Sequence, residues 1–158
     1  MTLENLLQRR LADWRPDSTS DRLTVDDAAG GWRASVQADV VETVGTRLRE
    51  VSVARLAPLD NPAPLTDRAR AVASRVTGLL EPLRLVEVDA SQEVAQLRSD
   101  TPASKGEGLA YYEVTLHGHG AAQVSRYEAT QGGGKRRQVP FTLTHEALGK
   151  LVRDLTTA

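Results

Sequence analysis

Apolar residues recur along this chain with two different periods, and each period predicts its own elements. Leu3, Leu6, Leu7, Leu11 and Trp14 fall on one side of a helix. They predict a helix over residues 3–14, capped by Thr2 and stopped by Pro16 and the Asp17-Ser18-Thr19-Ser20 run. Leu65, Ala69, Val72, Val76, Leu79 and Leu80 predict a second helix over 66–80, with Thr66 as its cap and Pro82 beyond its end. Leu148, Leu151, Val152 and Leu155 predict a third over 145–156, opened by Thr144. The proline-rich stretch 57–64 reads as a rigid connector into the second helix.

Between the helices the period falls to two. The clearest case is Trp32, Ala34, Val36, Ala38 and Val40 alternating with Arg33, Ser35, Gln37 and Asp39. Leu23 and Val25 precede it across the turn residues Asp26, Asp27, Gly30 and Gly31. Leu48, Val51, Val53 and Leu56 follow it, with a one-residue shift of phase that predicts a bulge near Arg49-Glu50. A second block pairs 83–89 with 94–97, then 109–116 with 121–130 across His117-Gly118-His119-Gly120. A last edge strand is expected over 138–143, where Pro140 is tolerable. Residues 99–108 read as a loop. Strand blocks at 22–57 and 83–142 framed by three amphipathic helices predict one α+β domain over 1–158. Its architecture is a two-layer sandwich, a mainly antiparallel twisted sheet with helices packed on one face.

Composition narrows the chemistry more than it names a function. The absence of cysteine removes disulfides, thiolate metal sites and Cys nucleophiles. With 20 Lys and Arg against 21 Asp and Glu, the net charge is −1, and the chain lacks the basic excess of a duplex-binding protein. Nucleic acid is not an expected partner, and sparse aromatics argue the same way. No apolar run approaches a membrane span, and the N-terminal segment lacks a signal-peptide core, so a cytoplasmic protein without membrane contact is the expectation.

Three constellations have chemical potential. His117 and His119 stand two apart, the spacing that puts two ligands on one strand face, with His145, Glu113 or Glu128 as a third donor. They are the basis of an alternative reading as a metal- or ligand-dependent enzyme. Gly132-Gly133-Gly134 leads into Lys135, Arg136 and Arg137, but the run lacks the Lys-Ser/Thr and following helix of a P-loop. A solvated hairpin tip is expected there, with weak nucleic-acid contact as a third reading. The acid pairs Asp26-Asp27 and Glu87/Asp89 lie at turns or strand ends, where solvent keeps carboxylates ordinary. No G-x-S-x-G elbow occurs. Neither a cofactor nor an enzyme activity is therefore expected.

The leading Leu-rich helix, the strands over 22–57 ending in Leu56-Ala57-Pro58-Leu59, the helix at 66–80 and the pair at 83–98 occur in the order of a known fold. In that order, and in its closing helix, the chain resembles the type III secretion chaperones. Residues 101–142 add a loop and a hairpin outside that pattern. The resemblance implies a small cytoplasmic homodimer that holds an extended segment of a protein partner on exposed apolar patches. It implies a dimer surface on helix 66–80 and strand 83–89, and a partner surface on helix 3–14 and strand 32–41. The expected function is a non-enzymatic, chaperone- or adaptor-like protein-binding module. Leu7, Leu11, Trp14, Trp32, Val72, Val76 and Leu79 are the candidate partner or dimer surface.

Overall fold

The structure, a computed structural model, describes residues 1–99, 103–105, 108–130 and 135–157. Its α+β architecture is the one the periodicity predicts: three helices on one face of an antiparallel sheet of ten strands among the described residues. Helix α1 (Leu3–Asp13) begins where the Thr2 hydroxyl accepts from the Asn5 N–H at 3.3 Å. Helix α3 (His145–Thr156) begins the same way, with Thr144 accepting from Ala147 at 3.0 Å. Helix α2 (Leu65–Arg75) departs from expectation at both ends. Its N-cap is Pro64, whose extended ψ sets Leu65 as the first helical residue, so Thr66 lies inside the helix and caps nothing. It also ends at Arg75, before the weak helix formers Thr77 and Gly78; Val76 and Leu79 remain buried in the turn that follows.

The main strand path is β1 (Arg22–Asp27), β2 (Trp32–Val41), β3 (Gly45–Arg55), β8 (Ala121–Thr130), β7 (Gly108–His117), β5 (Val94–Ser99) and β4 (Leu83–Asp89). The bulge expected near Arg49-Glu50 is present as a double irregularity. Arg49 slips out of register on β3 and Asp39 on β2, and the two displaced residues form an ion pair at 2.7 Å. The slip reverses the alternation in β2, so Val41 turns inward and Val40 outward, the opposite of the simple period-two reading. The stretch expected to be a loop contains a three-residue strand, β6 (Ala103–Lys105), paired to the start of β7.

The strand expected over 138–143 is two strands. β9 (Arg137–Val139) runs in along β8, Pro140 interrupts, and β10 (Phe141–Thr144) runs out along β3. Direct pairing of β3 with β8 is limited to Val51–Ala54 against Ala121–Val124. Beyond that seam the two strands fork, and β9-Pro140-β10 fills the fork. The Gln138 amide crosses it, donating to the Arg49 carbonyl at 2.7 Å and to Ser125 Oγ at 3.4 Å.

One continuous apolar core lies between sheet and helices, built on Leu7, Leu11, Val36, Leu48, Val51, Leu97, Val114, Leu116, Leu148 and Leu155. On the opposite face a polar residue is covered as completely: Glu113 lies between Arg136 at 3.0 Å and Arg98 at 3.5 Å. Arg136 stacks on Tyr127 and Arg98 on Tyr111, so the guanidiniums and rings roof the carboxylate. Burial works against the Arg136 charge, but hydrogen bonds to Glu113 and Tyr111 outweigh it and hold the guanidinium well above its ordinary value.

Candidate functional site

A cleft of about 530 Å³ lies at the end of the sheet where β3 gives way to the connector and α2. Four separate stretches of chain build it. Register pairs Trp32 with Arg55 across β2 and β3, and the Arg55 guanidinium sits 5.0 Å over the Trp32 ring. The connector contributes Leu59, Asn61, Pro62 and Ala63, all exposed, and its three prolines restrict the backbone there. Helix α2 turns Asp67, Arg68, Ala71 and Arg75 toward the cleft, residues that helical spacing places on one side. The β7–β8 turn brings His119, and the end of α3 brings Leu155 and Thr157.

The turn is locked to β3 and α2. Gly120 accepts from the Arg55 N–H at 2.7 Å, and a Cβ at Gly120 would stand 3.3 Å from Arg55 Cβ, so glycine permits the close approach. Arg68 donates through Nη1 to the carbonyls of Gly118 and Ala121 at 3.4 and 3.3 Å. Its Nη2 is buried without a hydrogen-bond partner, as is Nδ1 of His119. Burial lowers the Arg68 pKa, and the charge of Arg55 pushes it the same way. Among the described residues neither Arg55 nor Arg68 forms an ion pair. The cleft therefore joins an apolar wall (Trp32, Leu59, Ala71, Leu155) to two like charges that repel.

The candidate partner surface read from the sequence lies mostly elsewhere. Leu7, Leu11, Trp32, Val72, Val76 and Leu79 are buried in the chain's own core, and Trp14 is half-buried against it. The physical reason is that α1 docks on β1, β2 and α3, and α2 docks on β4 and β5, so both stripes are already out of water. Of the seven, only Trp32 reaches the cleft. Strand 32–41 sits inside the sheet between β1 and β3, while strand 83–89 is a free edge, paired among the described residues only with β5.

The histidines do not converge. His117 is exposed at the end of β7, His119 is half-buried in the following turn, and His145 opens α3. Both expected carboxylates are engaged, Glu113 by two arginines and Glu128 by Arg137 at 3.2 Å. Among the described residues no group of three or more His, Asp or Glu is placed to hold a metal. Gly132-Gly133-Gly134 lie outside the described residues, but two cations of the basic run are committed, Arg136 to Glu113 and Arg137 to Glu128. The acid pairs serve turns and strands: Asp26 is held bidentately by Arg33, Asp27 accepts from the Gly30 N–H, and Asp89 accepts from Ser91 and Gln92.

Comparison with protein-family models, with curated proteins and with solved structures finds no match. The geometry stands alone. No helix among the described residues is long and apolar enough to cross a membrane.

Proposed function

We propose that the chain is a non-enzymatic, chaperone- or adaptor-like binding module, working in the cytoplasm, that seats a segment of another protein in the cleft between the connector and α2. The observation that carries this reading is the coincidence there of exposed apolar side chains such as Leu59 and Ala63 with Arg55 and Arg68, which form no ion pair among the described residues, while the helix stripes are covered internally. A concavity of this size with a mainly apolar lining and a few convergent polar groups has the character of a binding site. The test is selection of peptides from a randomised displayed library on the full chain, followed by titration against wild type and Leu59→Glu. Leu59 is exposed, so the substitution alters the cleft without touching the core. Selected peptides should lose binding to the variant. Failure to select any peptide, or equal binding to both proteins, would refute the reading.

A second reading, self-association, is favoured by one observation. Leu80 is 91% exposed at a φ of 62°, a conformation leucine rarely adopts, and Val86 is exposed on the free edge strand β4. Light scattering after size-exclusion chromatography tests it. A dimer that dissociates on Leu80→Ser with Val86→Thr would support it, and a monomer at every concentration would remove it.

A further inference from the structure

We infer that the segment seated in the cleft presents a carboxylate to Arg55 and Arg68, so that the partner motif is an acidic residue flanked by apolar ones. This rests on the protein-segment reading above and adds the chemistry of its recognition. The local structure accounts for part of each arginine. Stacking on Trp32 holds the Arg55 guanidinium by its face, and Nη1 of Arg68 staples the β7–β8 turn. It does not account for two like charges facing one cavity, nor for the partnerless Nη2 of Arg68.

A buried guanidinium donor without an acceptor is costly, and a second cation beside it adds to the cost. A carboxylate between the two offsets both, and its planar pair of oxygens matches the guanidinium fork. The other charged groups on the lining are Asp67 and Arg75. Asp67 lies at the exposed rim, so the lining retains a positive balance. Leu59, Ala63 and Ala71 then receive the apolar neighbours of the acid. A neutral apolar segment fills the same walls but leaves the cations as they are.

The experiment takes the library-selected peptides and measures Kd by calorimetry for each peptide and its Asp→Asn or Glu→Gln version. The proteins are wild type and Arg55→Gln, both first checked for folding by circular dichroism. Arg68→Gln also removes the turn staple, so Arg55→Gln is the deciding variant. The amide peptides should bind wild type about tenfold more weakly, the scale of one charge-assisted hydrogen bond. For Arg55→Gln the gap between acid and amide peptides should narrow to about threefold, because one of the two partner charges is gone and Arg68 remains. Equal affinity of acid and amide peptides for wild type overturns the inference and leaves the protein-segment reading standing. If no peptide is selected, octanoate and octanol are titrated against Trp14→Phe protein, in which Trp32 is the remaining indole. A fluorescence change with octanoate alone, lost in Arg55→Gln, transfers the anion site to a small carboxylate and overturns the protein occupant. No change with either probe overturns both readings.

Discussion

Replacing Arg136 with alanine probes the roofed carboxylate on the helix-free face. Glu113 is 4% exposed and keeps, after the substitution, only Arg98 at 3.5 Å. Breaking a fully buried pair by removing one member costs about 3–5 kcal/mol. That is an upper limit here, because the Arg136 and Arg98 side chains are 38% and 40% exposed and solvent screens them. Discounting for that exposure, and adding back the lost stacking on Tyr127, gives about 2 kcal/mol for Arg136→Ala. Glu113→Gln should cost less, about 1 kcal/mol, since the amide oxygen still accepts and both guanidiniums can rehydrate. The double variant should then fall short of the summed singles by about 1 kcal/mol, the coupling between the two side chains. Urea unfolding followed by circular dichroism measures all three, and the Arg136→Ala midpoint on heating should drop by about 4–8 °C. Additive single costs, or an Arg136→Ala protein within about 0.5 kcal/mol of wild type, would refute the assignment of Arg136 as the principal counter-ion.

Three further outcomes follow from the geometry. Thr144→Ala should destabilise by about 1 kcal/mol in denaturant unfolding while Thr66→Ala stays within about 0.5, because only the first hydroxyl caps a helix. Leu11→Ala should cost about 3 kcal/mol in the same assay, as a core cavity does; near-neutrality would return Leu11 to a partner surface. The Asp26 carboxyl, held by Arg33, and the Asp89 carboxyl, held by Ser91 and Gln92, lie below the ordinary 3.8. Their stabilisation is complete above that value and is lost as pH falls through the lowered one. The stability gap between wild type and Asp26→Asn/Asp89→Asn should therefore persist at neutral pH and close below about pH 4, measured by denaturant titration across pH.

The layer architecture is legible in the sequence because periodicity reports burial directly. Leu7 and Leu11 at helical spacing, and Ala34 and Val36 two apart, point to the core in the sequence and occupy it in the structure. What periodicity does not report is the identity of the covering surface, so stripes that dock on the chain's own sheet read equally well as partner surface. The paired slip at Asp39 and Arg49 is half visible, as a phase shift in β3 but not as the matching reversal at Val40 and Val41. The fork at Pro140 is hidden because one short apolar run with a proline fits an edge strand as well as a turn between two inner ones. The cleft leaves almost no trace. Arg55, Arg68 and His119 come from a strand end, a helix flank and a hairpin turn, and only the register of β2 against β3 brings Arg55 onto Trp32. The residual signal is the set of arginines on the sides of α2, flanking its aliphatic stripe, which by pattern alone read as solvated decoration.

The fork also orders events in time. Among the described residues, β3 gains its neighbours on its second side from β8, starting at Ala121, and from β10, ending at Thr144. While the chain is being made, β1, β2 and β3 can form a local meander, yet the far edge of β3 stays bare until the chain has been made past Ala121. The layer above it arrives later still, with α3 following directly from β10. Such long-range closure predicts slow folding, in the range of about milliseconds to seconds of sheet-dominated topologies rather than the microseconds of helical bundles. A nascent chain of this kind exposes an unpaired strand edge during synthesis, so the half-made molecule carries an aggregation hazard that the finished one, with β3 covered, does not share at that strand.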